Sequence, residues 1–178
     1  MRNVFSLACI IGLLVAARPL AQAARPNPLS PRDSTAATID GAALSITYGR
    51  PSMRGRMIFG SLVPFGRIWC PGADECTTLT SDRDLQFGGV TLKAGDHSLW
   101  MVPADAVWTL IFNSGARAFH TRHNAALDVG RIELQKQTLP SPVEQLTFTI
   151  EKNPSDAGGV IAMTWETTRV AAPFTVVR

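Results

Sequence analysis

Four arginines, Arg50, Arg54, Arg56 and Arg67, fall in one stretch that ends at the acids Asp74 and Glu75. Guanidinium forks hold carboxylates, phosphates and sulfates through paired hydrogen bonds, so such a cluster can frame an anion site. The same arginines can instead close onto Asp74 and Glu75 as ion pairs that pin a long connection, because structural ion-pair networks imitate sites. The architectural reading is the expectation and the anion site its rival. Tyr48, the only tyrosine, is in phase with Leu44 and Ile46 and predicts a buried ring whose hydroxyl reaches a partner. Trp108 and Trp165 are in phase with apolar strand residues and read as core, whereas Trp69 and Trp100 are candidates to stack on a ligand.

Other chemistries find less support. The three histidines are His97, His120 and His123, and His120-Thr-Arg-His123 has an i, i+3 spacing suited to a metal if the segment turns helically. His97 would have to approach from a separate strand and no acid sits at a telling offset, so no metal is expected and the three stay weak candidates. No G-x-S-x-G elbow is present to position a nucleophilic serine. Asp74 and Glu75 are adjacent, and on a strand they would point to opposite faces, which does not suit a glycosidase carboxylate pair. No cofactor is implied.

The N-terminus explains where such a chain would work. Arg2 precedes an apolar run over residues 4–17, and Ala21-Gln22-Ala23 supplies a small-x-small cleavage pattern, so residues 1–23 read as a signal peptide cut before Ala24. The apolar run is short for a bilayer span, and no later segment comes closer, so the mature chain is expected to lack a span and to be periplasmic or secreted. Cleavage removes Arg2 and Arg18 and no acid, which lowers the formal charge from +3 to +1. That balance, with no clustered basic face, argues against nucleic acid as a partner. Two cysteines survive cleavage, Cys70 and Cys76, and an even count in an exported chain reads as a disulfide. They flank Pro71-Gly72, so the bridge would fix one loop.

The elements that must position these groups are strands. Leu44, Ile46 and Tyr48 alternate with polar residues, and so do Trp108, Leu110 and Phe112; Ile132 and Leu134; Leu146, Phe148 and Ile150; and Ile161, Met163 and Trp165. Gly88-Gly89 divides two short runs, and residues 154–159 make a hairpin-length connection. No dozen-residue window has helical spacing, apart from a short turn or helix between residues 116 and 127. The pattern predicts an all-β fold, a single antiparallel sandwich or jelly-roll-like domain of about ten strands. Residues 24–36, Pro-rich at first and without periodicity, are expected to be a flexible lead-in to a domain spanning residues 37–178.

The stretch Y-G-R-P-S-M-R-G-R-M-I-F-G-S-L-V-P-F-G-R-I-W over residues 48–69 runs into C-P-G-A-D-E-C-T-T over residues 70–78. Later come A-G-D-H-S-L over residues 94–99 and W-T-L-I-F-N over residues 108–113. Together these resemble the bacterial DUF2911 family, exported proteins of unknown function, and the likeness spans nearly the whole mature chain. It implies a β-sandwich-like domain and no particular reaction. Relative to that family's pattern, Cys70-Pro71 stands where Arg-Thr is usual, Cys76 replaces a small residue, and His97 stands where Tyr is common. Two cysteines gained in one loop reinforce their pairing.

The leading functional expectation is a non-catalytic exported binding or envelope-associated module. Its pocket would be framed by Tyr48, Arg50, Arg54, Arg56, Trp69, Asp74, Glu75 and His97, and its partner would be an unknown small molecule or an envelope component. The alternative is an enzyme using the same groove, metal-assisted through His97. Convergent polar groups in an open cleft would favour a site, and arginines closed on carboxylates a structural knot.

Overall fold

A computed structural model describes residues 30–177. The expected signal peptide and residues 24–29 of the expected lead-in lie outside the described residues. In chain order the strands are β1 (Arg32–Ile39), β2 (Ala42–Gly49), β3 (Thr78–Ser81), β4 (Leu85–Phe87), β5 (Val90–Leu92), β6 (Gly95–Val102), β7 (Val107–Asn113), β8 (Asp128–Gln135), β9 (Gln137–Lys152) and β10 (Gly159–Val176). They form a six-stranded sheet, β1-β2-β3-β6-β7-β8, and a four-stranded sheet, β5-β4-β10-β9, antiparallel throughout. The expected all-β sandwich is therefore the observed architecture. Between residues 116 and 127 only one short 3-10 turn forms, Ala125–Leu127, capped by the Asn124 side chain.

Period-two alternation explains each sheet's inner face. Leu44, Ile46 and Tyr48 of β2 are buried while Ala43, Ser45 and Thr47 are not, and Leu99 and Met101 of β6 join Trp108, Leu110 and Phe112 of β7 in the same core. From the opposite sheet come Phe87, Phe148, Met163, Trp165 and Phe174. Tyr48 packs edge-on against Phe148 across the sandwich, ring centroids 5.1 Å apart. A second, smaller cluster lies on the outer face, where Trp100 and Ile111 pack with Cys70 and Cys76.

The domain begins earlier than residue 37. β1 starts at Arg32 and pairs along its length with β2, from Arg32 opposite Gly49 to Ile39 opposite Ala42. Asp40 (φ 47) and Gly41 (φ 84) make the two-residue turn between them, the positive-φ pair that matches hairpin twist. β1 was unreadable as a strand because it lies at a sheet edge, its inward residues Asp33, Thr35 and Ala37 being polar or small and only half-buried.

The connection from β2 to β3 is far longer than any other described here, and ordered loops of such length commonly carry function. Its backbone is tied down along its course. Met53 donates to the Glu144 carbonyl, Pro51 accepts from Leu146, Gly66 donates to the Pro103 carbonyl, and Trp69 exchanges backbone bonds of 2.8 and 2.7 Å with Met101. The Cys70–Cys76 disulfide closes its end, with Cα atoms 5.8 Å apart. Gly49 is obligatory where the loop returns, because a Cβ there would overlap the Ala73 carbonyl.

Candidate ligand-binding site

The connection folds over one end of the sandwich and leaves a cavity of about 530 Å³. Arg54, Arg56, Arg67, Trp69 and His120 line it together with Ser52, Leu62 and Ile68. Among the described residues that line it, none is an aspartate or a glutamate. Its floor is aromatic. Trp69 stacks on Trp165 at 6.2 Å with the planes 17° apart, and Phe59 stands edge-on to both and to Trp108. Trp165 is buried as expected of core, and its indole N–H donates to the Glu144 carbonyl at 3.2 Å.

Arg56 is held from behind by backbone carbonyls and not by the adjacent acids. Arg56 donates from Nε to the Met53 carbonyl (2.9 Å) and from Nη2 to the Ser52 carbonyl (2.8 Å), curling over its own turn. Carbonyls orient the guanidinium but leave its charge uncompensated, and its other donors have no partner among the described residues. The Arg67 side chain makes no hydrogen bond or ion pair among the described residues. Arg54 donates its backbone N–H to Glu144 Oε1 at 2.9 Å.

The expected pairing of these arginines with Asp74 and Glu75 does not occur as read. Arg50 pairs with Asp33 of β1 (3.2 Å) and donates to Thr147 Oγ1. Glu75 faces Arg32 at 3.6 Å and lines a separate hollow on the outer sheet face with Thr78, Thr80 and Asp96. Asp74 sits at φ 63 and offers its carbonyl to His120 Nδ1. The reason is local geometry: the turn through Gly72 and Asp74 carries both acids past the cavity rim toward β1 and the segment at Phe119. Two other carboxylates do the pinning. Glu144 takes the Arg54 amide, and Glu166 accepts from the amides of Ile58 (3.2 Å) and Phe59 (3.3 Å).

Of the residues read from the sequence, Arg54, Arg56 and Trp69 therefore share the cavity. Tyr48 lies beneath, in the core, its hydroxyl 3.4 Å from Asp33 and its ionisation pushed up chiefly by burial. His97 is elsewhere: it alternates in phase with Leu99 and Met101 on the inward face of β6, and burial holds its pKa below the ordinary histidine value. The three histidines do not converge. His120 lines the cavity, while His123 bonds Asp128 Oδ1 at 2.8 Å and stands edge-on to Trp100. Burial alone would raise the Asp128 carboxyl, but donors from Asn113, Arg131 and His123 pull it below the usual range. No group of three or more His, Cys, Asp or Glu side chains suited to a metal occurs among the described residues.

Sequence reasoning placed Arg67 in the arginine cluster but not His120, Leu62 or Ile68 in the pocket. One signal was available: apolar residues without periodicity in a Gly- and Pro-rich connection have no strand face to bury, so some must line a surface.

The family profile described as "Protein of unknown function (DUF2911)" matches residues 30–174. No curated protein and no solved structure matches.

Proposed function

Because the chain belongs to the DUF2911 family, whose function is unknown, we propose from the cavity itself that this is an exported, non-catalytic binding module for an anionic ligand with an apolar body. One observation carries the reading: three arginines and no described carboxylate line a single cavity. The guanidinium groups of Arg56 and Arg67, without a carboxylate partner among the described residues, favour an anion in a partly desolvated cavity, and Arg56, already oriented by the Met53 and Ser52 carbonyls, loses less freedom on binding it. Trp69, Leu62, Ile68 and Pro64 supply walls for the rest of the ligand. Carboxylate, phosphate and sulfate head groups all fit this chemistry.

The test titrates the chain beginning at Ala24 with decyl phosphate below its micelle concentration, followed by tryptophan fluorescence, with decanol as the neutral control. Decyl phosphate should bind and decanol should bind at least tenfold more weakly. Arg67→Ala should weaken binding about tenfold or more, since a charge-assisted hydrogen bond is worth about 1.5 to 3 kcal/mol. Equal affinity for both probes, or no effect of Arg67→Ala, rejects the reading. Export is tested separately, by finding Ala24 at the N-terminus of the secreted or periplasmic protein.

A further inference from the structure

Residues 57–68 of the connection read M-I-F-G-S-L-V-P-F-G-R-I, and their apolar side chains divide into two sets. Ile58, Phe59 and Val63 point inward and are buried. Met57, Leu62, Phe65 and Ile68 are 66%, 49%, 40% and 42% exposed, so four of the nine large exposed hydrophobics among the described residues sit on this one segment. Scattered exposed apolar residues need no explanation, whereas a concentrated patch marks an interaction surface.

The segment that carries these side chains is held in place. Leu62 donates its amide to the Met57 carbonyl, the ring of Phe65 lies against Gly60, and Leu62 and Ile68 share the cavity rim. The segment cannot bury these tips by collapsing, because Ile58, Phe59 and Val63 already fill the space beneath and the Glu166 carboxylate fixes the Ile58 and Phe59 amides. Two acids from the sheet stand against it, Glu166 on the Ile58 and Phe59 amides and Glu144 on the Arg54 amide, each engaged by the loop backbone, so the charge that the loop itself adds is positive. Residues 50–73 contain Arg50, Arg54, Arg56 and Arg67 and not one acid, and the last three stand at the cavity beside the patch. Apolar tips inside a cationic collar complement a surface that is apolar below and anionic on top, which describes a lipid bilayer with acidic head groups.

We infer that the residue 57–68 loop seats this protein on an anionic lipid surface, with Met57, Leu62, Phe65 and Ile68 entering the interface and Arg56 and Arg67 contacting head groups. The inference goes beyond the cavity reading, because Met57 and Phe65 do not line the cavity.

The test is flotation of the chain beginning at Ala24 with vesicles of phosphatidylcholine alone or mixed with phosphatidylglycerol. The protein should float with the mixed vesicles and not with the neutral ones, and rising salt should weaken binding, because screening reduces a gain of roughly fivefold per arginine. Met57→Asp, at the most exposed of the four sites, and the double variant Met57→Ser/Phe65→Ser should each reduce partitioning at least tenfold. Both should leave decyl phosphate binding in the cavity unchanged, which separates failure of this inference from failure of the cavity reading. Should the double variant not fold, Met57→Asp alone decides. No flotation, equal flotation with neutral vesicles, or full flotation of Met57→Asp overturns the inference. So does a concentration-dependent dimer lost in Met57→Asp without vesicle binding, which would make a second copy the occupant.

Discussion

Replacing Glu166 by alanine tests whether the cavity is built by the sandwich or by the loop alone. Glu166 lies in β10 at φ 55, between two shifts of register against β9, so its carboxylate is turned toward the loop. Its oxygens accept the Ile58 and Phe59 amides at 3.2 and 3.3 Å. A hydrogen bond to a charged group contributes about 1.5 to 3 kcal/mol; these are long and partly exposed, so Glu166→Ala should cost about 2 to 3 kcal/mol in all. With a urea m-value of about 2 kcal/mol/M, the unfolding midpoint should fall by about 1 to 1.5 M. Glu166→Gly loses the same bonds but removes the left-handed strain of a side chain at this φ, so it should recover up to about 1 kcal/mol relative to alanine. Decyl phosphate affinity should fall in both variants, since the freed amides carry the cavity wall. A Glu166→Ala protein within about 0.5 kcal/mol of wild type, or a glycine variant less stable than alanine, would refute the reasoning.

His97 is buried neutral, with a pKa lowered mainly by desolvation against smaller opposing pulls from the Gly95 backbone and Asp96. The unfolded state therefore binds the proton first as pH falls. Stability should hold above the ordinary value of 6.5 and decline below it toward the lowered folded pKa, with a slope of at most about 1.4 kcal/mol per pH unit. Urea unfolding across pH should find that component absent in His97→Leu. Arg50→Ala should cost only about 1 to 2 kcal/mol, because the Arg50 and Asp33 side chains are 33% and 39% exposed and solvent screens the pair; a loss above about 4 kcal/mol would indicate a desolvated pair instead. Cys70→Ala/Cys76→Ala should lose about 2 kcal/mol from loop closure, and thiol titration of the native chain beginning at Ala24 should find no free sulfhydryl.

Much of the architecture was legible because it is written in local patterns. Leu44-Ser45-Ile46-Thr47-Tyr48 can bury one face only as a strand, and the Gly88-Gly89 and residue 154–159 breaks mark hairpins that the chain does form. The buried Tyr48, Trp108 and Trp165 followed from phase alone. β1 was missed because an edge strand does not need an apolar inner face. The arginine cluster was legible as a cluster, and Arg54, Arg56 and Trp69 do meet at one cavity. Its partners were not, since sequence proximity suggested Asp74 and Glu75 while the chain turns them away.

The sequence by itself determined the class of fold, the disulfide and the family, because period-two alternation, a cysteine pair across a Pro-Gly turn and a continuous motif are all short-range properties. Only the tertiary structure decided which charges stay uncompensated. Glu144 lies 90 residues from the amide it holds and Glu166 lies 108 and 107 residues from its two, and Arg50 finds Asp33 through the register of β1 on β2. Those distances are set by strand pairing and bulges, which depend on the whole sheet, so no local window of residues contains them.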